Sequence, residues 1–369
     1  AGAENDCIGA CHGFSLPCAR RGPGSRSPIW IIADEGAIKA TSPSRAGGDM
    51  PAMNFLQWPV AALAWLGRQG TRALAASIFL GLAVPPLAAY VKPHLAETVF
   101  VLLLFSYLRT DPSAFKRVVR APGLAVIATL WVMVALPLLF GAVYAATGVR
   151  DIMPGLFTIM ILHCAIAPIT SSAAFAALMG LDVAFSLVAL ILCNGLSPLT
   201  TVAFSYLFLG TSLISPLELG GKLLFFFLAS GLAAYVIRRV AGQARIEKHK
   251  ETIDGMNVIA VFVFAISAMD GVPRYVMADP LFALELFALI VIVTVAMLGL
   301  SALVFARAGL DRGMVIGLLA SFRNLGVVMA ALGGKLPEIA WFYFALAQFP
   351  IYLLPAVLKP LANRLPKNR

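Results

Sequence analysis

From residue 73 onward the chain is a succession of apolar runs separated by short polar or basic connections. A helix needs about twenty apolar residues to cross the hydrocarbon core of a bilayer. The pattern therefore predicts transmembrane helices near 73–91, 94–108, 122–147, 153–179, 182–209, 217–237, 256–272, 280–306, 313–333 and 338–358, the second being short. Ahead of them, residues 54–71 carry Phe55, Leu56, Trp58, Leu63, Trp65 and Leu66 in an amphipathic pattern and read as a helix lying in the membrane interface. Residues 1–53 lack sustained periodicity and are rich in Gly, Pro, Ser and Arg, so they read as a disordered extension. That extension is expected to arise from an upstream translation start, with Met50 or Met53 the native one. Its Cys7, Cys11 and Cys18 beside His12 have zinc-ligand chemistry but no paired second knuckle, and no metal site is assigned to them.

Composition agrees with the pattern. Sixty per cent of the 369 residues are hydrophobic and 12% charged, and the mean hydropathy is +0.89, far from the balance of a soluble domain. The net charge of +10 does not point to nucleic acid, because Lys and Arg fall in clusters between apolar runs and not along one polar face. Those clusters alternate. Arg68 and Arg72; Arg109, Lys116, Arg117 and Arg120; Arg238, Arg239, Arg245, Lys248 and Lys250; Arg307 and Arg312; and Lys359, Arg364, Lys367 and Arg369 occupy every second connection, against Lys92, Arg150, Lys222, Arg274 and Lys335 on the others. The positive-inside rule then places both termini in the cytoplasm and favours an even number of spans. Cys164 and Cys193 lie within apolar runs and read as buried packing residues.

Five spans bring the chain to about Gly210 and five follow, so residues 72–210 and 211–369 form two repeats of opposite orientation, as in many secondary transporters. The fourth and ninth spans are interrupted at mid-run. Pro168 is followed by Thr170, Ser171 and Ser172 in one; Arg323, Asn324 and Gly326 interrupt the other. Proline removes a backbone donor and clashes with the preceding turn, and freed backbone groups in hydrocarbon need protein or water partners. The two breaks are therefore expected to face each other at a central site, with Arg323 turned away from lipid. Ser186, Asn194 and Ser197 before Pro198, with His163 and Asp270, are further candidates to line the same cavity.

These segments resemble the bile acid:sodium symporter family over nearly all of 73–365. Arg109-Thr-Asp-Pro-Ser-Ala-Phe-Lys-Arg-Val-Val-Arg-Ala-Pro is similar to that family's connection after the second span, Pro168 to Asp182 followed by Asn194-Gly-Leu-Ser-Pro-Leu-Thr to its fourth and fifth helices, and Ser321-Phe-Arg-Asn-Leu-Gly to the crossing part of its ninth. The resemblance implies an all-α polytopic bacterial inner-membrane protein of ten transmembrane helices in two inverted five-helix repeats. Helices four and nine would cross in a core domain that moves against a panel domain. It implies a non-enzymatic secondary transporter of small organic anions such as bile acids, sulfated steroids, pantoate or pyruvate, with sodium as the usual coupling ion and no cofactor. Substrate or ion contacts would come from Pro168, Thr170, Ser171, Ser172, Ser186, Asn194, Arg323 and Asn324.

Several side chains that commonly ligate sodium in that family are replaced. The Asn expected after the fourth-helix Pro is absent, the ninth-helix Glu and Gln-Asn positions hold Leu319 and Arg323-Asn324, and Trp131-Val-Met stands where the third helix often carries Gln. A hard cation needs oxygen ligands. The alternative is accordingly a sodium-independent transporter, a channel or a transporter-derived sensor, in which the Arg323 cation replaces the ion and attracts an anionic substrate. Proton coupling is a further option. An arsenite exporter using Cys164 and a membrane enzyme pairing His163 with Asp270 are the remaining readings; the chain carries no His-Glu-x-x-His or Gly-x-Ser-x-Gly motif.

Overall fold

The computed structural model describes residues 79–110, 123–210, 215–362 and 364. The N-terminal extension with its cysteines, the interfacial segment at 54–71, most of the first apolar run and the basic stretch 111–122 lie outside the described residues. In chain order the helices are α1 (Pro85–Val91), α2 (Leu95–Arg109), α3 (Gly123–Leu130), α4 (Leu136–Ala146), α5 (Val149–Ile152), α6 (Pro154–Ala165), α7 (Ser172–Leu178) and α8 (Val183–Leu209). They continue with α9 (Pro216–Ala241), α10 (Gln243–Lys248), α11 (Lys250–Ala268), α12 (Val272–Ala278), α13 (Pro280–Val304), α14 (Leu310–Ser321), α15 (Leu325–Leu332) and α16 (Glu338–Ala362).

Among the described residues the regular structure is helical apart from one isolated β-bridge. Seven stretches are long and apolar enough to cross a membrane: Pro85–Arg109, Gly123–Ala146, Val183–Leu209, Leu217–Ala241, Lys250–Ala278, Pro280–Val304 and Glu338–Ala362. The chain is an all-α polytopic membrane protein. Its outward faces carry large apolar side chains that water would not tolerate as a continuous surface, for example Phe225, Leu228 and Leu232 on α9, each more than half exposed.

Local chemistry sets the boundaries. Asp182 accepts a hydrogen bond from the amide of Phe185 to start α8, and Asp279 accepts one from Phe282 to start α13. One π-helical turn, Trp131–Ala135, joins α3 to α4 immediately before Pro137. Alongside, α2 packs between α9 and α11, and α8 packs on α3, α6 and α9.

The two interrupted helices are the most deeply enclosed. Every residue from Leu156 to Ala165 in α6 and from Gly313 to Ser321 in α14 is buried. α14 approaches α13 closely because Gly313 and Gly317, one turn apart, present no side chain: a Cβ there would stand 2.8 Å from Ala302 O and 2.7 Å from Leu298 O.

Candidate functional site

Both expected breaks are present, and they meet. After α6 the chain runs extended from Ile166 through Pro168, and after α14 it runs extended through Phe322. The two segments cross in an antiparallel bridge between Pro168 and Arg323. Ile169 N donates to Phe322 O at 2.8 Å and Asn324 N donates to Ala167 O at 2.8 Å. Two broken helices thus replace part of their lost intrahelical hydrogen bonds with bonds to each other.

The remaining freed groups find partners in neighbouring elements, as buried backbone must. On α8, the Ser197 hydroxyl accepts from Ala167 N at 3.1 Å, and the Thr201 hydroxyl donates to Ala165 O at 3.2 Å. Ser197 is therefore a support of the break between α6 and α7 and is not among the residues of the cavity wall, which corrects the sequence expectation.

Arg323 is fully buried, and its guanidinium takes three backbone carbonyls. Nε donates to Ala320 O at 2.7 Å, Nη1 to Ile166 O at 2.9 Å, and Nη2 to Val132 O at 2.8 Å, with Met133 Sδ 3.8 Å from Nη1. Each carbonyl lacks a partner in its own helix for a legible reason. Ala320 and Ile166 stand at C-terminal helix ends, where the last carbonyls are orphaned. Val132 lies in the π turn: Leu136 N reaches back to Trp131 O, and the next residue, Pro137, has no N–H to offer. Arg323 joins three otherwise unsatisfied acceptors where the negative ends of two helix dipoles converge. Its donors thus point into backbone, and none of its surface is exposed.

A cavity of about 160 Å³ opens beside the crossing. Thr170, Ser171, Ala173 and Ala174 line it from one break, and Arg323, Asn324, Leu325 and Gly326 from the other; consecutive residues make the two half-helix N-termini part of its wall. Val99, Leu103, Val261 and Phe264 supply apolar surface. Phe264 seats against the crossing because residue 326 is glycine: a Cβ there would lie 2.6 Å from the Phe264 ring.

Of the eight residues singled out in the sequence, Thr170, Ser171, Arg323 and Asn324 line the cavity and Pro168 forms the bridge. Ser172, Ser186 and Asn194 are buried, are not among the lining residues, and each keeps a side-chain oxygen without a hydrogen-bond partner among the described residues. His163 and Asp270 do not meet. His163 Nδ1 lies 2.7 Å from the Tyr343 hydroxyl, while Asp270 pairs with Lys92 at 2.9 Å, so the acid–base pair considered from the sequence does not form. Cys164 and Cys193 are buried free thiols.

The sequence reading missed Arg109, Asn257 and Gln348, which also line the cavity. Asn257 and Gln348 are amides inside apolar spans, a signal present in the sequence. Arg109 was assigned only to a connection; its side chain is 36% exposed, and its Nε stands 2.7 Å from Asp254 Oδ1. That carboxylate oxygen accepts no aligned hydrogen bond, so the contact is chiefly charge on charge. Arg109 also borders a second cleft, of about 340 Å³, lined by Gln243, Glu247 and Lys250. It thus stands between the crossing cavity and that outer cleft, and it is the cation in the cavity wall with exposed side chain.

Compared with models of known protein families and with curated proteins, the sequence matches none.

Proposed function

We propose that this protein is a secondary transporter of small organic anions that works by alternating access, on the architecture of the bile acid:sodium symporters. The observation that carries the reading is the crossing of two broken helices at Pro168 and Arg323 beside a cavity lined by hydroxyls, amides and one exposed guanidinium. Irregular backbone at membrane depth occurs where it lines a cavity or is buried in protein, and discontinuous helices at a repeat interface are the usual substrate site of such carriers.

With the apolar run at 73–91 taken as a first span separate from Leu95–Arg109, these two, the other six long stretches and the two broken helices would give ten spans in two inverted repeats of five. Charge alternation then puts both termini in the cytoplasm. An anionic substrate fits the wall: the amino ends of the half-helices carry positive potential, Asn257, Asn324 and Thr170 offer donors, and Arg109 supplies a full charge that Asp254 only partly occupies. The apolar side formed by Val99, Leu103, Val261 and Phe264 suits a carboxylate or sulfate ester with a hydrocarbon body.

Counterflow in proteoliposomes tests this. Vesicles preloaded with an unlabelled bile acid, sulfated steroid, pantoate or pyruvate should transiently concentrate the labelled compound for at least one of them, which a carrier does and a channel does not. Flux without counterflow would replace the carrier by a channel, and absence of both flux and binding across the panel would remove the anion assignment.

A further inference from the structure

A cation of a different kind completes the crossing. Ala320 O, Ile166 O and Val132 O come from three separate elements, two of them helix C-termini, and converge within hydrogen-bond distance of one charged group. Unwound carbonyls and the C-terminal ends of half-helices are what discontinuous transporter helices use to coordinate a small cation. Here the convergence is filled by a side chain. The Arg323 guanidinium is a cation whose directed N–H donors already hold the three oxygens, and a sodium ion brought to the same oxygens would have to displace these hydrogen bonds and meet the guanidinium's repulsion in a low-dielectric site.

We propose that this three-carbonyl cage is a cation site whose permanent occupant is Arg323, so that the crossing is held in its working geometry without a dissociable ion. The residues present do not fit sodium at the crossing. The consequence, which rests on the carrier reading above, is facilitated or exchange transport driven by the substrate's own gradient. A tethered cation cannot be released on the far side, so it couples no ion gradient to the cycle. The competing assignment uses three of the buried oxygens that lack a hydrogen-bond partner among the described residues, Ser172 Oγ, Ser186 Oγ and Asn194 Oδ1, as ligands of a mobile cation held off the crossing.

The test reads stability and needs no substrate. The purified full-length protein is melted in sodium, potassium and N-methyl-D-glucamine chlorides at equal ionic strength, with sodium titrated in the last. The proposal expects the same melting temperature in all three. A saturable rise with sodium would overturn it, since a ligand of the folded state stabilises in proportion to occupancy. In Arg323→Ala the vacated cage should admit a free guanidinium: low concentrations of methylguanidinium should raise the melting temperature saturably, whereas choline should not. Methylguanidinium acting no better than choline would contradict the cage. Should Arg323→Ala fail to fold, Arg323→Lys keeps the charge with fewer directed donors and is expected to fold with lower stability and no sodium response; a sodium response restored by Lys would count against the proposal. Because no arm reads flux, a protein that moves no anion would sink the carrier reading and leave the cage standing.

Discussion

Arg323 Nη2 donates to Val132 O at 2.8 Å across 191 residues of sequence, and the bond exists because Pro137 cannot donate to that carbonyl. The π turn at Trp131–Ala135 shifts the amide of Leu136 onto Trp131 O, the proline ends the local supply of donors, and Arg323, between α14 and α15, fills the gap. The α3–α4 stretch is thereby tied to the crossing of the two broken helices. Removal of the guanidinium strands three buried carbonyls, each worth about 1–3 kcal/mol when left unpaired. Arg323→Leu is therefore expected to destabilise the protein by about 3 kcal/mol or more, measured as a loss of thermal or denaturant stability in detergent. A change below about 0.5 kcal/mol, the range of ordinary surface substitutions, would contradict this account of the bonds.

Pro137→Ala supplies the missing amide. With a donor at residue 137 the π turn can relax and the carbonyls there can be satisfied locally, so the loss caused by Arg323→Leu should shrink in a Pro137→Ala background. The double-mutant cycle is expected to show coupling within the roughly 0.5–3 kcal/mol typical of residues sharing a network. Strict additivity would mean that proline and arginine are unrelated.

The hydroxyl of Ser197 accepts from Ala167 N at the break. Ser197→Ala leaves that buried amide without its partner and should lower stability by about 1–2 kcal/mol, with a larger relative effect on hydrogen exchange of Ala167 than on amides of α13. Unchanged exchange at Ala167 would assign the support elsewhere.

Two glycines separate packing against backbone from packing against a side chain. A Cβ at residue 317 meets Leu298 O at 2.7 Å, which only a helix shift can relieve; one at residue 326 meets the tip of the Phe264 ring, which can rotate. Gly317→Ala is expected to destabilise by about 1–3 kcal/mol and Gly326→Ala by less. Phe264→Leu should offset Gly326→Ala but not Gly317→Ala, as read by melting temperatures of the three single and two double variants.

Arg109 and Asp254 approach to 2.7 Å in partly exposed surroundings, where an ion pair contributes about 0–1 kcal/mol. Arg109→Ala should therefore change stability little while weakening anion binding about tenfold or more, the loss of roughly one charge-assisted hydrogen bond. Asp254→Asn should act in the opposite direction by leaving Arg109 uncompensated. Ligand-induced thermal shifts with the anion panel distinguish the pair; equal effects of both substitutions would remove Arg109 from the site.

The helices and their breaks were legible in the sequence because both follow from local chemistry: apolar run length for the helices, Pro168 and the Arg323-Asn324 pair for the interruptions. The direction of the Arg323 side chain was not. It depends on a carbonyl orphaned by a π turn and a proline in a distant helix, and no pattern around residue 323 carries that information. The same holds for Ser186 and Asn194, whose polarity suggested the cavity although their helix presents Leu187 to it instead. Arg109 was read for its charge in a connection, and that charge says nothing of which way the side chain turns at the helix end.

The account is tested most directly by counterflow in sodium-free proteoliposomes. An organic anion of the panel should show transient concentration of label in the wild type without sodium, unaltered when sodium is added to both sides, and markedly reduced in Arg323→Leu that still folds. A carrier that concentrates label only when sodium is present would contradict the tethered cation, and a protein showing no counterflow for any organic anion would contradict the transporter itself.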